Sequence, residues 1–387
     1  MEKKPKIDSK TNVVKICLSF FVIICVIFVL TRYLINDEFR NMIDTKILKK
    51  EITENSANII EINSDGNPYI YAYDKYITIL SKNILNFYNQ DASNIAELDV
   101  NITTPYVNSN EKYLAIAENG GSKLYLISDT NIKWEKDVDG QIYRVSVNKN
   151  GFVSVLLKNT TYKSIVVIYD ADGTELFKTY LATSYAICSE ISGNNKYLAI
   201  GQIDYSGTIV KSVVKLIEMD TVKERKQSAI VYTYESESSK ILNNIKFNNK
   251  NEAICMFDSY IQKVTALSDE RLYDINNNHI FADISLANDI VIVEKETSGL
   301  FSYQYQINIK DTIGKSDNLY ILDNDVPKRL KVTKNLICMN LANEVRIINA
   351  SGWLLKRYTT KSEIQDIVVS DNIMGIVYNN KIEVINL

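Results

Sequence analysis

Few residues in this sequence have the types and spacing that chemistry requires. His279 is the sole histidine among 387 residues. Imidazole is the commonest metal ligand and acid–base group near neutral pH, so a single one argues against a histidine-based triad and a multi-histidine metal site. The stretch Asp170-Ala171-Asp172-Gly173 opens like a calcium loop, but the further Asp and the distal Glu of an EF-hand do not follow. The equivalent positions 349–352 read "NASG", with Asn in place of the first acid and Gly retained. A tight hairpin turn needs that pattern, Gly for positive φ and Asp or Asn for local hydrogen bonds. Both segments are therefore assigned as turns. Asp137, Asp139, Asp204, Asp323 and Asp325 also fall among turn residues. A glycosidase would need two carboxylates facing each other about 5–9 Å apart, and no spacing here singles out such a pair. Catalytic residues, metal ligands and cofactor-binding residues are all expected to be absent.

Cysteine use is equally plain. Cys17 and Cys25 lie in an apolar N-terminal run, while Cys188, Cys255 and Cys338 are scattered through strand-like segments. No CxxC spacing exists, so no disulfide framework is expected and these residues read as small buried hydrophobes. A net charge of −3 with 46% hydrophobic residues is enough for a large core and too balanced to point to nucleic acid.

The elements that must carry these residues come in two kinds. Residues 16–30, "ICLSFFVIICVIFVL", are uncharged, and flanking apolar residues extend the run over 13–35. That is close to the roughly 20 residues that span a bilayer. No small-x-small cleavage site follows, so the run reads as an uncleaved single-pass anchor. Lys3, Lys4, Lys6, Lys10 and Lys15 precede it, which keeps residues 1–12 inside and sends the rest outward from the cytoplasmic membrane. Residues 36–56 place Phe39, Met42 and Ile43 on one helical stripe, read as a stalk.

Beyond residue 57 the sequence turns to 5–8-residue runs of Ile, Val, Tyr and Leu between Asn, Asp, Gly and Ser clusters. "NEKYLAIAE" (110–118), "NNKYLAIGQ" (194–202) and "YDKYITILS" (73–81) repeat a turn, Lys-Tyr and an apolar strand. Aligning on that strand sets anchors at Tyr76, Tyr113, Phe152, Tyr197, Ala253, Ile290, Leu336 and Ile373. A period of about 40–45 residues with four strands per unit specifies a β-propeller. The last unit stops at its third strand, 381–387, and a spare strand lies at 57–63. Pairing the two would close an all-β, eight-bladed ring spanning 57–387, with seven blades as the alternative.

With "DADGTELFK" and "NASGWLLKRY" at the turns, the chain resembles WD40-like and quinoprotein-like propellers. Together with the N-terminal run, it resembles membrane-anchored β-propeller proteins of unknown function from clostridial-type Gram-positive bacteria. The Gly-His and Trp-Asp dipeptides of WD40 blades are absent, and only Trp134 and Trp353 are present, against the regular tryptophans of quinoproteins. Fold class and membrane address together lead to the expectation of a non-catalytic scaffold for protein partners in the cell envelope, in division, wall synthesis or sporulation. An extracytoplasmic ligand-binding sensor and a wall-glycan hydrolase or lyase are the alternatives. Units four and six have lengthened second-to-third-strand hairpins, which puts Tyr205, Phe301, Tyr303 and Tyr305 forward as candidate partner-binding residues.

Overall fold

The computed structural model describes residues 9–35, 39, 43, 58–62, 67–223, 229–297, 303–312, 317–323 and 325–387. Eight four-stranded antiparallel sheets follow one another around a ring. Strands A to D run from the centre outward in each blade. The blades begin at Tyr69, Pro105, Gln141, Ser184, Leu242, His279, Arg329 and Asp366. Second strands begin at Tyr76, Tyr113, Val153, Tyr197, Ala253, Asp289, Leu336 and Ile373, within one residue of every anchor.

The eighth blade closes as the orphan strand requires. β1 (Asn58–Glu61) pairs antiparallel with β32 (Lys381–Asn386), Asn58 opposite Val384 and Glu61 opposite Lys381. The N-terminal strand is thus strand D of a blade whose other strands come from the C-terminus. That pairing joins the two ends of the chain and hides the edge of β32.

Burial explains the strand composition. Middle strands are sandwiched between neighbouring blades, so β12 (Ser164–Tyr169) is buried at every position. Outer strands face water on alternate residues, as in β9 (Asn131–Asp137). The core therefore lies between blades: one apolar cluster joins Tyr113, Leu124 and Leu126 of the second blade to Val145, Val155 and Val167 of the third. Cys188, Cys255 and Cys338 are buried within such clusters as free thiols. In the fourth blade the close approach requires Gly201. A Cβ there would lie 2.3 Å from Leu242 Cδ2 and 2.7 Å from Cys188 Sγ.

The repeated Lys-Tyr sits where strand B leaves its turn. Lys75, Lys112 and Lys196 place Nζ 5.5, 5.4 and 5.1 Å from the rings of Tyr76, Tyr113 and Tyr197. Each lysine covers its tyrosine while its ammonium stays near water.

The A-to-B turns also form a closed circuit of inter-blade hydrogen bonds. Tyr73 Oη donates to Lys112 O, Val147 N to Asn108 Oδ1 at 2.9 Å, and Asn148 Nδ2 to Ser192 O at 3.0 Å. Asn194 N donates to Asn251 Oδ1 at 3.0 Å, Asn249 N to Ala287 O at 3.2 Å, and Ala287 N to Lys334 O at 3.0 Å. Thr333 Oγ1 donates to Asp371 Oδ1, and Ser370 Oγ returns the circuit to Asp74 O. Every blade is tied to both neighbours on this face, the closing seam included.

The run expected to span a membrane, 13–35, lies within α1 (Ser9–Ile35), a helix of 27 residues. Among the described residues no helix is long and apolar enough to cross a membrane. Apart from Phe39 and Ile43, the stalk expected over 36–56 lies outside the described residues, and so does Met42.

Candidate partner-binding face

In an antiparallel blade the B-to-C hairpins and D-to-A connections emerge opposite the A-to-B turns. The fourth blade lengthens β15 (Tyr197–Asp204) and β16 (Lys211–Glu218) to eight residues each around loop 205–210. Asp204 opens the loop as an Asx turn, its Oδ1 accepting from Ser206 N at 2.9 Å. Hydrogen bonds from Ser206 hold the Asp204 carboxyl below its ordinary range. In β14 (Ser184–Ile191), Tyr185 pairs with Ile203, which sets it beside the loop.

The rings of Tyr185 and Tyr205 stack at 5.4 Å and 22°. They remain 37% and 39% exposed. Lys163 Nζ lies 5.7 Å from the Tyr185 ring. A hydrogen bond from Tyr205 and the nearby Lys163 and Lys158 charges pull the Tyr185 phenol down. Tyr205, losing solvent and facing Tyr185, is pushed up to about 12.

The sixth blade is lengthened as expected, with β23 (Asp289–Thr297) and its partner strand running nine residues each. Tyr303 opens strand β24 (Tyr303–Asp311), is 50% exposed, and has Lys295 Nζ 3.7 Å over its ring. Tyr305 lies within the same strand and packs against the cluster of Leu286, Val291 and Val293, so it belongs to the blade. Phe301 lies outside the described residues. Tyr205 and Tyr303 sit on separate blades with separate neighbours. Sequence reasoning missed Tyr185. Its signal was a tyrosine at the head of an inner strand, where side chains leave the ring interior for the loop face.

The groups that could have done chemistry are occupied by structure. Asp170 Oδ1 accepts from Asp172 N and Thr174 N at 3.0 and 2.8 Å, and Gly173 has φ +83°. Asn349 does the same for Ser351 N and Trp353 N at 3.1 and 3.0 Å. Both are turns. Among the described residues no group of His, Cys, Asp and Glu could hold a metal ion. His279 is buried, with Nε2 2.8 Å from Glu294 Oε1 and 2.9 Å from Tyr273 Oη. Burial alone would raise the Glu294 carboxyl, but hydrogen bonds from Tyr273 and Gln306 and the facing His279 bring it below its ordinary value.

On the opposite face the central channel widens into a cavity of about 760 Å³ among the A-to-B turns. Lys246 Nζ meets Glu190 Oε1 in its wall at 2.8 Å, and Asn110 Oδ1 is buried there with no hydrogen-bond partner among the described residues. Lys334 of the seventh blade reaches Glu111 of the second at 2.7 Å, across part of the ring.

A family model described as a family of unknown function, DUF5711, matches residues 47–387. The chain belongs to that family. No curated protein matches it. Among solved structures it is similar to the C-terminal WD40 domain of Sif2, with 11% identity, 86% of this chain and 99% of that one covered, and a TM-score of 0.56. It is also similar to BamB from Moraxella catarrhalis, at 12% identity, 86% and 97% coverage, and a TM-score of 0.50. Kuenenia stuttgartiensis hydrazine synthase matches at 10% identity, 85% and 98% coverage, with a TM-score of 0.45. The likenesses to Sif2 and BamB show the propeller fold.

Proposed function

We propose that this propeller is a non-catalytic scaffold for protein partners, held at the outer face of the cytoplasmic membrane by α1. The observation that carries the reading is the exposed Tyr185–Tyr205 stack on the lengthened hairpin of the fourth blade. The apolar rings have no role in the blade core, and aromatic side chains at the centre of a patch dominate binding energy in interfaces. The anchoring half of the proposal draws on the exposed Phe21, Ile24, Phe28 and Leu30 of α1, which water does not favour.

The test is the double variant Tyr185→Ala/Tyr205→Ala, purified from detergent-solubilised membranes. Partner recovery should be abolished while the melting temperature changes little, because both residues lie at the surface. Unchanged recovery from a folded variant would reject this face. A second reading, a small-molecule sensor, draws on the 760 Å³ polar cavity on the opposite face. Ligand-induced thermal stabilisation that Asn110→Leu abolishes would favour it.

A further inference from the structure

The fourth-blade face has a charge pattern that specifies what it binds. Lys158 ends β11 (Val153–Lys158), and Lys163 precedes β12; both belong to the third-blade hairpin beside Tyr185. Lys240 lies in the connection to the fifth blade, its carbonyl accepting from Ser212 Oγ at 3.0 Å. Nearby lysines are paired: Lys211 with Glu235 at 3.2 Å and Lys178 with Glu175 at 3.0 Å. Among the described residues, Lys158, Lys163 and Lys240 have no carboxylate partner. On the same face are the Tyr185–Tyr205 stack and exposed Ile209, Val210 and Ile241, with the Asp204 carboxylate turned to Ser206 at the head of the loop. Val210 and Ile241 are held together, since Ser239 N donates to Val210 O at 3.1 Å and Leu242 N to Ser212 Oγ at 2.9 Å.

We propose that this face docks an acidic protein segment that carries an apolar or aromatic anchor. The inference rests on reading the face as partner-binding and adds the partner's chemistry. Carboxylates of the segment would meet the ammonium groups of Lys158 and Lys163 beside the stack, with Lys240 on the neighbouring connection. Its anchor would cover the tyrosine stack and the aliphatic side chains, giving the apolar centre and charged rim of a specific interface. Complementary charge also speeds encounter and makes it salt-dependent. A basic or neutral segment would leave three lysines crowded against it without compensation.

The experiment uses the full-length chain in producing cells, with Ile209→p-benzoylphenylalanine as the photoreactive probe and both tyrosines intact. Illumination should crosslink one protein segment, and mass spectrometry should show it rich in Asp and Glu around an apolar residue. Lys158→Glu/Lys163→Glu in the same background should lower the crosslink yield about tenfold or more without lowering the melting temperature. Lys158→Gln/Lys163→Gln should lower it less, which separates charge from misfolding. A crosslinked segment without net negative charge, a lipid adduct, or a yield indifferent to both lysine pairs would overturn the acidic-partner inference alone. No protein adduct at all from a folded chain would overturn the partner-binding reading beneath it.

Discussion

The closing strand makes the sharpest demand on the fold. Ile60 of β1 is 3% exposed and packs with Ala72 and Ile77 of the first blade and Ile373 and Ile382 of the eighth. Its neighbour Ile59 points outward at 48% exposure. Truncating a buried Ile to Ala costs about 2–5 kcal/mol through lost transfer energy and the cavity left behind. Ile60→Ala should fall near the lower end, about 2–3 kcal/mol, because an edge strand can settle inward. Ile59→Ala should stay within about 0.5 kcal/mol. Removing the whole strand adds the loss of its ladder with β32 and of the Ile62 N to Asn380 O bond at 3.0 Å. Each of those hydrogen bonds contributes roughly 0.5–1.5 kcal/mol net. The total, roughly 5 kcal/mol or more, rivals the whole stability of an ordinary domain. Urea unfolding followed by circular dichroism compares chains that begin at residue 51 and at residue 64. The first should fold cooperatively; the second should aggregate or unfold at much lower urea. Equal midpoints for the two chains, or equal losses for Ile59→Ala and Ile60→Ala, would refute closure by β1.

Three further outcomes follow from particular contacts. Gly201→Ala should destabilise by about 1–3 kcal/mol in thermal melting, because its Cβ has no room beside Leu242 and Cys188. Neither calcium nor a chelator should shift the melting temperature, since Asp170 serves its own turn; a calcium-dependent shift lost in Asp170→Ala would reverse that assignment. Burial would raise the Glu383 carboxyl, but Lys381, Tyr358 and Tyr378 hold it below its usual 4.5. A depressed folded value stabilises above the unfolded one and is lost as pH falls through the folded value, so melting temperature should drop below about pH 4.5 and Glu383→Gln should flatten that limb.

Much of this architecture was legible in the sequence because blade packing writes itself locally. A strand buried on both faces must be apolar throughout, so "KYLAI" and its relatives mark strand B wherever they occur. The Asx turns were legible for the same reason: Asp170 and Asn349 bond to amides within four residues. Closure could be read from an arithmetic remainder, a missing fourth strand and a spare first one. The candidate face was only half legible. Loop length announced Tyr205, but Tyr185 lies in another strand and reaches the stack through β-sheet register. Tyr305 looked like a loop residue because the alternation of β24 runs past the hairpin, and packing claims it for the sixth blade. The hydrogen-bond circuit of the A-to-B turns was invisible, since its partners lie about one blade apart in sequence and on neighbouring blades in space.

The two faces of the ring divide the work. On the A-to-B face, short turns bond many of their polar groups to one another, from Tyr73 and Lys112 round to Ser370 and Asp74, with Asn110 Oδ1 left over. Groups already satisfied within the chain have little to gain from a partner. On the other face, the fourth blade leaves a tyrosine stack half exposed, and among the described residues Lys158 and Lys163 of the third have no carboxylate partner. The circuit holds the blades in fixed relative positions, so these groups from separate blades keep a constant spacing. A surface composed from several blades in this way can recognise a partner without ordering itself first, which removes one of the main entropic costs of association. Under the proposed reading, rigidity on one face is what would let sparse groups on the other act together as a binding surface.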